Sequence, residues 1–109
     1  MDSYSPGEVV LIAFPFADAT GAKRRPALVL LDTGDEDIIV ARVTSQTSRT
    51  SFDIEIMEWQ QAGLLIPSVS RLHKIATLEK RLVERKLGKL SANDLSRVRT
   101  VVKRLCASI

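Results

Sequence analysis

Along most of its length the chain sets apolar residues in short, β-branched runs broken by turn chemistry, and only the C-terminal stretch carries a helical period. Residues 8–14 (EVVLIAF) open after Pro6-Gly7 and close at Pro15, which predicts a strand. A polar segment from Phe16 to Arg25, containing Gly21, reads as a surface loop. Residues 26–31 (PALVLL) are almost wholly apolar, as expected of a strand covered on both faces. Asp32-Thr-Gly-Asp35 supplies turn chemistry before a third strand at 37–43, and so short a link predicts an antiparallel hairpin.

The next segment, 44–51 (TSQTSRTS), has no apolar residue and reads as a loop or strand end. Residues 52–56 then alternate strictly, with Phe52, Ile54 and Ile56 on one face and Asp53 and Glu55 on the other, the pattern of a half-exposed strand. A brief helical turn is expected at 59–65, ended by Gly63, followed by a strand at 68–78 after Pro67 and a short strand or turn at 81–87. Ser91 is placed to cap a terminal helix, with Asp94 three residues on, and Leu95, Val98, Val102 and Leu105 form its apolar stripe. Five or six short strands with a closing helix predict a mainly β fold, a strongly curved antiparallel sheet or partly open barrel.

A chain of 109 residues, 45% hydrophobic and 27% charged, fits one globular domain spanning 1–109. The longest apolar run, Val9 to Phe14, is far too short to span a membrane, and no basic segment precedes it as in a secretory signal. Cys106 is the sole cysteine, so no internal disulfide forms, which fits a reducing cytoplasm. Charge is divided unevenly. Residues 1–59 hold five basic and ten acidic side chains, residues 60–109 eleven and three. A basic half points to a polyanion or an acidic partner, although a solvated helix face would look the same.

One Cys and one His cannot supply a zinc site, and phosphate-loop, dinucleotide and nucleophile-elbow motifs are absent. No metal or cofactor is therefore expected, and chemistry must run on Arg, Lys, His, hydroxyls and carboxylates. That set suits phosphoryl chemistry, which needs charge stabilisation and proton transfer. The sharpest local feature is Lys23-Arg24-Arg25-Pro26, where proline biases Arg25 toward extended backbone at a strand entrance. A guanidinium held there matches a phosphate or carboxylate; by charge alone the run reads first as a solvated basic turn. Arg71 and His73, two apart in a strand, should project side by side.

GEVVLI at 7–12, RPALVL at 25–30, RVTSQ at 42–46, WQQAGL at 59–64 leading to Pro67-Ser68, and KLGKL at 86–90 together resemble the PemK/MazF family of bacterial toxins, in order along nearly the whole chain. The resemblance implies a small SH3-like, CcdB/MazF-type curved antiparallel barrel with a C-terminal helix, in a homodimer. It also implies a cytoplasmic, metal-independent endoribonuclease that cuts single-stranded RNA and is neutralised by a cognate antitoxin, a small acidic protein. Carried over residue by residue, Arg25 would stabilise the transition state and Thr44 would hydrogen-bond the scissile phosphate. Arg71 matches a family arginine, while His73 stands where the family has an aspartate; imidazole is competent as acid or base near neutrality.

The implied reaction is attack of the ribose 2′-hydroxyl on the adjacent phosphorus, which excludes DNA as substrate. Lys23, Arg24, Ser45, Gln46 and Phe16 are the expected RNA contacts. Phe14 and Trp59 are further stacking candidates, with Trp59 leaning toward the core. The alternatives are a non-catalytic toxin-like module that binds a protein target such as gyrase, and a plain SH3-like interaction domain.

Overall fold

The computed structural model describes residues 2–14 and 23–109, with Phe14 as backbone only. Six strands, β1 (Glu8–Phe14), β2 (Lys23–Asp32), β3 (Asp37–Thr44), β4 (Asp53–Ile56), β5 (Ser68–Glu79) and β6 (Val83–Lys89), precede helix α1 (Ala92–Ala107). They form one sheet in the order β4-β5-β3-β2-β1-β6, antiparallel at every pairing, with β4 and β6 as edges. The mainly β reading with a terminal helix therefore holds, and the sheet curves without closing. Register shifts in the β1–β6, β2–β3 and β3–β5 pairs insert extra residues, the device by which strands bend and increase their twist.

The apolar runs predict the strands because both sides of this sheet are covered. Val9, Leu28, Ala41, Val43, Ile54, Ile56 and Leu72 form one cluster with Val98 of the helix and Ala62 and Leu64 of the 59–65 turn. Val10, Ile12, Ala27, Val29, Ile38 and Val40 form a second with Tyr4, against which Leu82 and Val83 pack. Successive residues of β2 thus alternate between two cores, so a strand covered on both faces is what 26–31 became.

Two strand boundaries depart from expectation. β2 begins three residues early because Lys23, Arg24 and Arg25 pair with Phe14, Ala13 and Ile12 across the sheet. The brief helical turn expected at 59–65 holds, with the Ala62 N–H donating to the Glu58 carbonyl at 3.2 Å and Gly63 ending it. Phe52 precedes β4 and, half-buried, tilts toward His73, with Arg104 over its ring. Trp59 packs partly buried against the first cluster, as its size suggested.

Two glycines join the turn to the sheet. Gly63 has φ +80°, and a Cβ there would lie 2.0 Å from the Leu87 carbonyl oxygen. A Cβ on Gly88 would lie 2.5 Å from the Ala62 carbonyl carbon. The WQQAGL and KLGKL segments thus meet backbone to backbone, which only glycine allows.

Helix α1 starts as its sequence implies: the Ser91 hydroxyl accepts from the Asp94 N–H at 3.1 Å. The Asp94 carboxylate does not complete a capping box. It turns instead to the Met57 and Glu58 N–H groups, at 3.3 and 2.9 Å, and ties the helix to the turn after β4. Of the predicted stripe, Val98 is buried and Leu95, Val102 and Leu105 are half-buried; Cys106 is exposed.

Candidate functional site

Arg25 stands where two cavities meet. One, of about 300 Å³, is lined by Arg25, Pro26, Val40, Arg42, Lys74, Ile75 and Ala76. The other, of about 500 Å³, brings Arg25 and Pro26 together with Thr44, Ser45, Arg85 and Lys86, and is walled by Gly63, Leu64, Leu65 and Ile66. The geometry follows from register. β2 and β3 pair Ala27 with Arg42, and the next residues on that side, two further along each strand, are Arg25 and Thr44. Two residues 19 positions apart in sequence are thereby brought to one rim. A third cavity, of about 370 Å³, continues through Ser45 to Gln46, Thr47 and Trp59.

The lining of the first two cavities is cationic and contains no carboxylate among the described residues. Arg25, Arg42, Lys74 and Arg85 make no ion pair with a described carboxylate, whereas Lys86 approaches Glu8 at 3.4 Å. Arg24 alternates away from Arg25 along β2 and is bound to Glu84 of β6, its Nε donating to Oε1 at 2.9 Å. Lys23 is exposed at the start of β2. The Thr44 hydroxyl accepts from the Gln46 N–H at 3.2 Å, so it caps the strand end and keeps its own proton to donate. Phe16 lies outside the described residues.

Arg71 and His73 line neither of these cavities. They converge, as their spacing required, on a residue that alternation had assigned to an exposed face: Asp53. Arg71 Nη1 donates to Asp53 Oδ2 at 2.7 Å and Nη2 to the Thr47 carbonyl at 3.3 Å, with Arg71 only 5% exposed. The Asp53 side chain is fully buried, and His73 Nδ1 lies 3.6 Å from its Oδ1. The Arg49 and Thr50 N–H groups also donate to Oδ2, at 2.8 and 3.2 Å. Burial pushes the Asp53 carboxyl up, but these two N–H groups and the Arg71 charge outweigh it and hold the group below the usual carboxylate range.

This cluster and the cavities share one row of the sheet. Ala27 of β2 faces Arg42 of β3, Arg42 faces Arg71 of β5, and Arg71 faces Asp53 of β4. Just past this row, between Arg71 and Ile75, β5 carries three extra residues opposite the Ala41–Arg42 step, which fan out His73 and Lys74. Arg42, Lys74 and Arg85 are cavity residues that sequence reading did not single out. Arg42 adjoins the TSQ segment and was within reach; Lys74 and Arg85 depend on the bulge and on β6.

No helix among the described residues is long and apolar enough to cross a membrane. No curated protein sequence matches the chain significantly. Among solved structures it is similar to the MazE–MazF complex of Deinococcus radiodurans, with TM-score 0.78, 23% identity, and 95% of this chain and 96% of that one covered. It is also similar to an endoribonuclease from a mycobacterial species, with TM-score 0.76, 14% identity and coverage of 98% and 94%. A mycobacterial endoribonuclease in complex with its cognate antitoxin gives TM-score 0.74 at 15% identity, with 96% of each chain covered. At these identities the likeness is one of fold, and family membership rests on sequence: residues 5–106 match the model of the PemK-like, MazF-like toxins of type II toxin–antitoxin systems, and the chain belongs to that family.

Proposed function

We propose that this protein is a metal-independent endoribonuclease toxin that cuts single-stranded RNA. The observation that carries the reading is the pair of cavities joined at Arg25, with no carboxylate among the described residues of their lining and Thr44 on the rim of the larger. Guanidinium and ammonium groups around a trough suit a phosphodiester backbone, and a planar fork at Arg25 suits its non-bridging oxygens. In this reading a base takes the proton of the ribose 2′-hydroxyl, whose oxygen bonds to the adjacent phosphorus. Arg25 and Arg42 neutralise the charge that builds on the non-bridging oxygens, and the Thr44 hydroxyl donates to one of them. The bond to the 5′-oxygen breaks, an acid returns a proton to it, and a 2′,3′-cyclic phosphate and a 5′-hydroxyl remain.

His73 is the group on this side of the sheet suited to carry that proton, and Arg71 acts behind it by holding Asp53 and the Thr47 carbonyl. The apolar wall of Leu64, Leu65 and Ile66 gives bases a surface to lie on, as a single strand permits. The protein acts in the cytoplasm as a homodimer, neutralised by an acidic antitoxin that docks on the same cations. The mycobacterial endoribonuclease solved with its cognate antitoxin supports that assembly by likeness of fold.

The test is cleavage of single-stranded RNA by the purified protein in EDTA. Cleavage with cyclic-phosphate ends is expected, lost in Arg25→Ala with the melting temperature unchanged. Full activity of Arg25→Ala would overturn the site, and growth arrest without RNA cleavage would favour a toxin that acts by binding.

A further inference from the structure

Asp53 Oδ1 is the one buried side-chain polar atom without a hydrogen-bond partner among the described residues. Its sister oxygen Oδ2 is oversupplied, receiving Arg71 Nη1, the Arg49 N–H and the Thr50 N–H. Buried carboxylate oxygens are rarely left unmet, because the lost hydration is not replaced. The group facing Oδ1 is His73 Nδ1 at 3.6 Å, just beyond hydrogen-bond range. The imidazole is about a third exposed, so one side of the ring is free of packing, and the gap exceeds a hydrogen bond by only a few tenths of an ångström. Its other neighbours do not compete: the Phe52 ring is tilted at 6.5 Å, and Arg104 sits over the far partner of that contact.

We propose that Asp53 is the positioning residue of His73: Oδ1 accepts the Nδ1–H of the imidazole, which fixes the ring and leaves Nε2 as the nitrogen offered to the RNA. The inference rests on the ribonuclease reading only for what Nε2 then does, namely accept the 2′-hydroxyl proton or donate to the 5′-oxygen. The carboxylate comes from β4, the strand paired with β5 beside His73. The Arg49 and Thr50 N–H groups together with the Arg71 charge make this possible, because they stabilise a buried carboxylate through Oδ2 and leave Oδ1 to orient the ring.

The substitution Asp53→Asn separates orientation from packing. An amide has one accepting and one donating end. Three donors converge on the Oδ2 position, so the amide oxygen belongs there and the NH₂ group takes the place of Oδ1. It then donates to His73 Nδ1, which must become the bare nitrogen, with the proton on Nε2. His73 is the only histidine, so long-range proton–nitrogen NMR of the labelled protein at alkaline pH reads it without ambiguity.

The expected result is the Nδ1–H tautomer in the wild type and the Nε2–H tautomer in Asp53→Asn. For RNA cleavage we expect kcat to fall at least about tenfold with KM unchanged, since a correctly held acid–base group contributes on the order of a hundredfold or more. A wild type in the Nε2–H form would overturn the proposal even if Asp53→Asn failed to fold. So would a tautomer that ignores the substitution, or a loss confined to KM and melting temperature. If the wild type cuts no RNA, the ribonuclease reading falls and the nitrogen shifts still decide the Asp53–His73 pair.

Discussion

Asp94 offers the clearest measure of what holds the site's outer wall in place. It is 1% exposed, and its carboxylate receives the Glu58 N–H at 2.9 Å, the Met57 N–H at 3.3 Å and Arg97 Nη1 at 3.1 Å. Asp94→Ala removes all three. Arg97 loses least, since its side chain is 43% exposed and Nη1 keeps the Glu55 carbonyl at 2.8 Å. The Glu58 contact is a well-formed bond to a charged acceptor, worth about 1.5–3 kcal/mol, and the longer Met57 contact is worth less. Met57 and Glu58 are exposed residues, so water meets part of the freed N–H demand. The net loss should be about 2–3 kcal/mol, which for a domain of this size lowers Tm by roughly 8–20 °C. Urea and thermal unfolding followed by circular dichroism measure it. Asp94→Asn keeps an acceptor for Glu58 and should lose about half as much. A loss below about 0.5 kcal/mol for Asp94→Ala, the range of an ordinary surface change, would refute the argument that this carboxylate anchors the turn.

The other expectations concern charge. Arg42→Ala should weaken single-stranded RNA binding and reduce the slope of log affinity against log salt by about 0.7, the share of one phosphate contact. Arg24→Ala, whose guanidinium is committed to Glu84, should change that slope less, and equal effects would contradict the cavity assignment. Asp32 is held at about 2, foremost by the hydrogen bond from Lys80 at 2.8 Å and then by the Gly34 and Tyr4 N–H groups. The folded state thus resists protonating Asp32 while the unfolded chain takes the proton near pH 4. Its stabilisation is complete above that pH and is lost as pH falls toward 2. Urea midpoints measured between pH 5 and 2 should fall less steeply for Asp32→Asn than for the wild type, and parallel curves would exclude the Lys80 contact as a source of acid lability.

What was legible in the sequence was local. The β2–β3 hairpin, the strand at Glu8–Phe14 and the capped helix each follow from residues adjacent in sequence, and each formed where periodicity put it. Asp53 shows where that reasoning stops. Alternation correctly placed it opposite Ile54, but whether that face is wet depends on what β5 sets beside it. Arg71 and His73 cover it, so a residue on the polar side of an amphipathic strand is fully buried. The early start of β2 at Lys23 and the bulge that fans out His73 and Lys74 are likewise properties of pairing between distant segments, invisible to any window along the chain.

The uneven charge of the two halves has its explanation in the same pairing. Acidic residues of the first half are consumed by cations of the second: Asp32 by Lys80, Asp53 by Arg71, and Glu8 by Lys86. Arg24 of the first half is in turn taken by Glu84 of the second. Among the cations without a described carboxylate partner, Arg25 and Arg42 come from the first half and Lys74 and Arg85 from the second, and these four line the two cavities that share Arg25; Arg99, Lys103 and Arg104 of the helix also lack one. A basic second half alone would have directed attention to the terminal helix. Folding neutralises part of the charge across the divide and gathers Arg25, Arg42, Lys74 and Arg85, with the hydroxyl of Thr44, around two cavities formed by β2, β3, β5 and β6. A polyanion is drawn to clustered positive charge, and what sets these four cations apart from those of the helix is the concave surface they share.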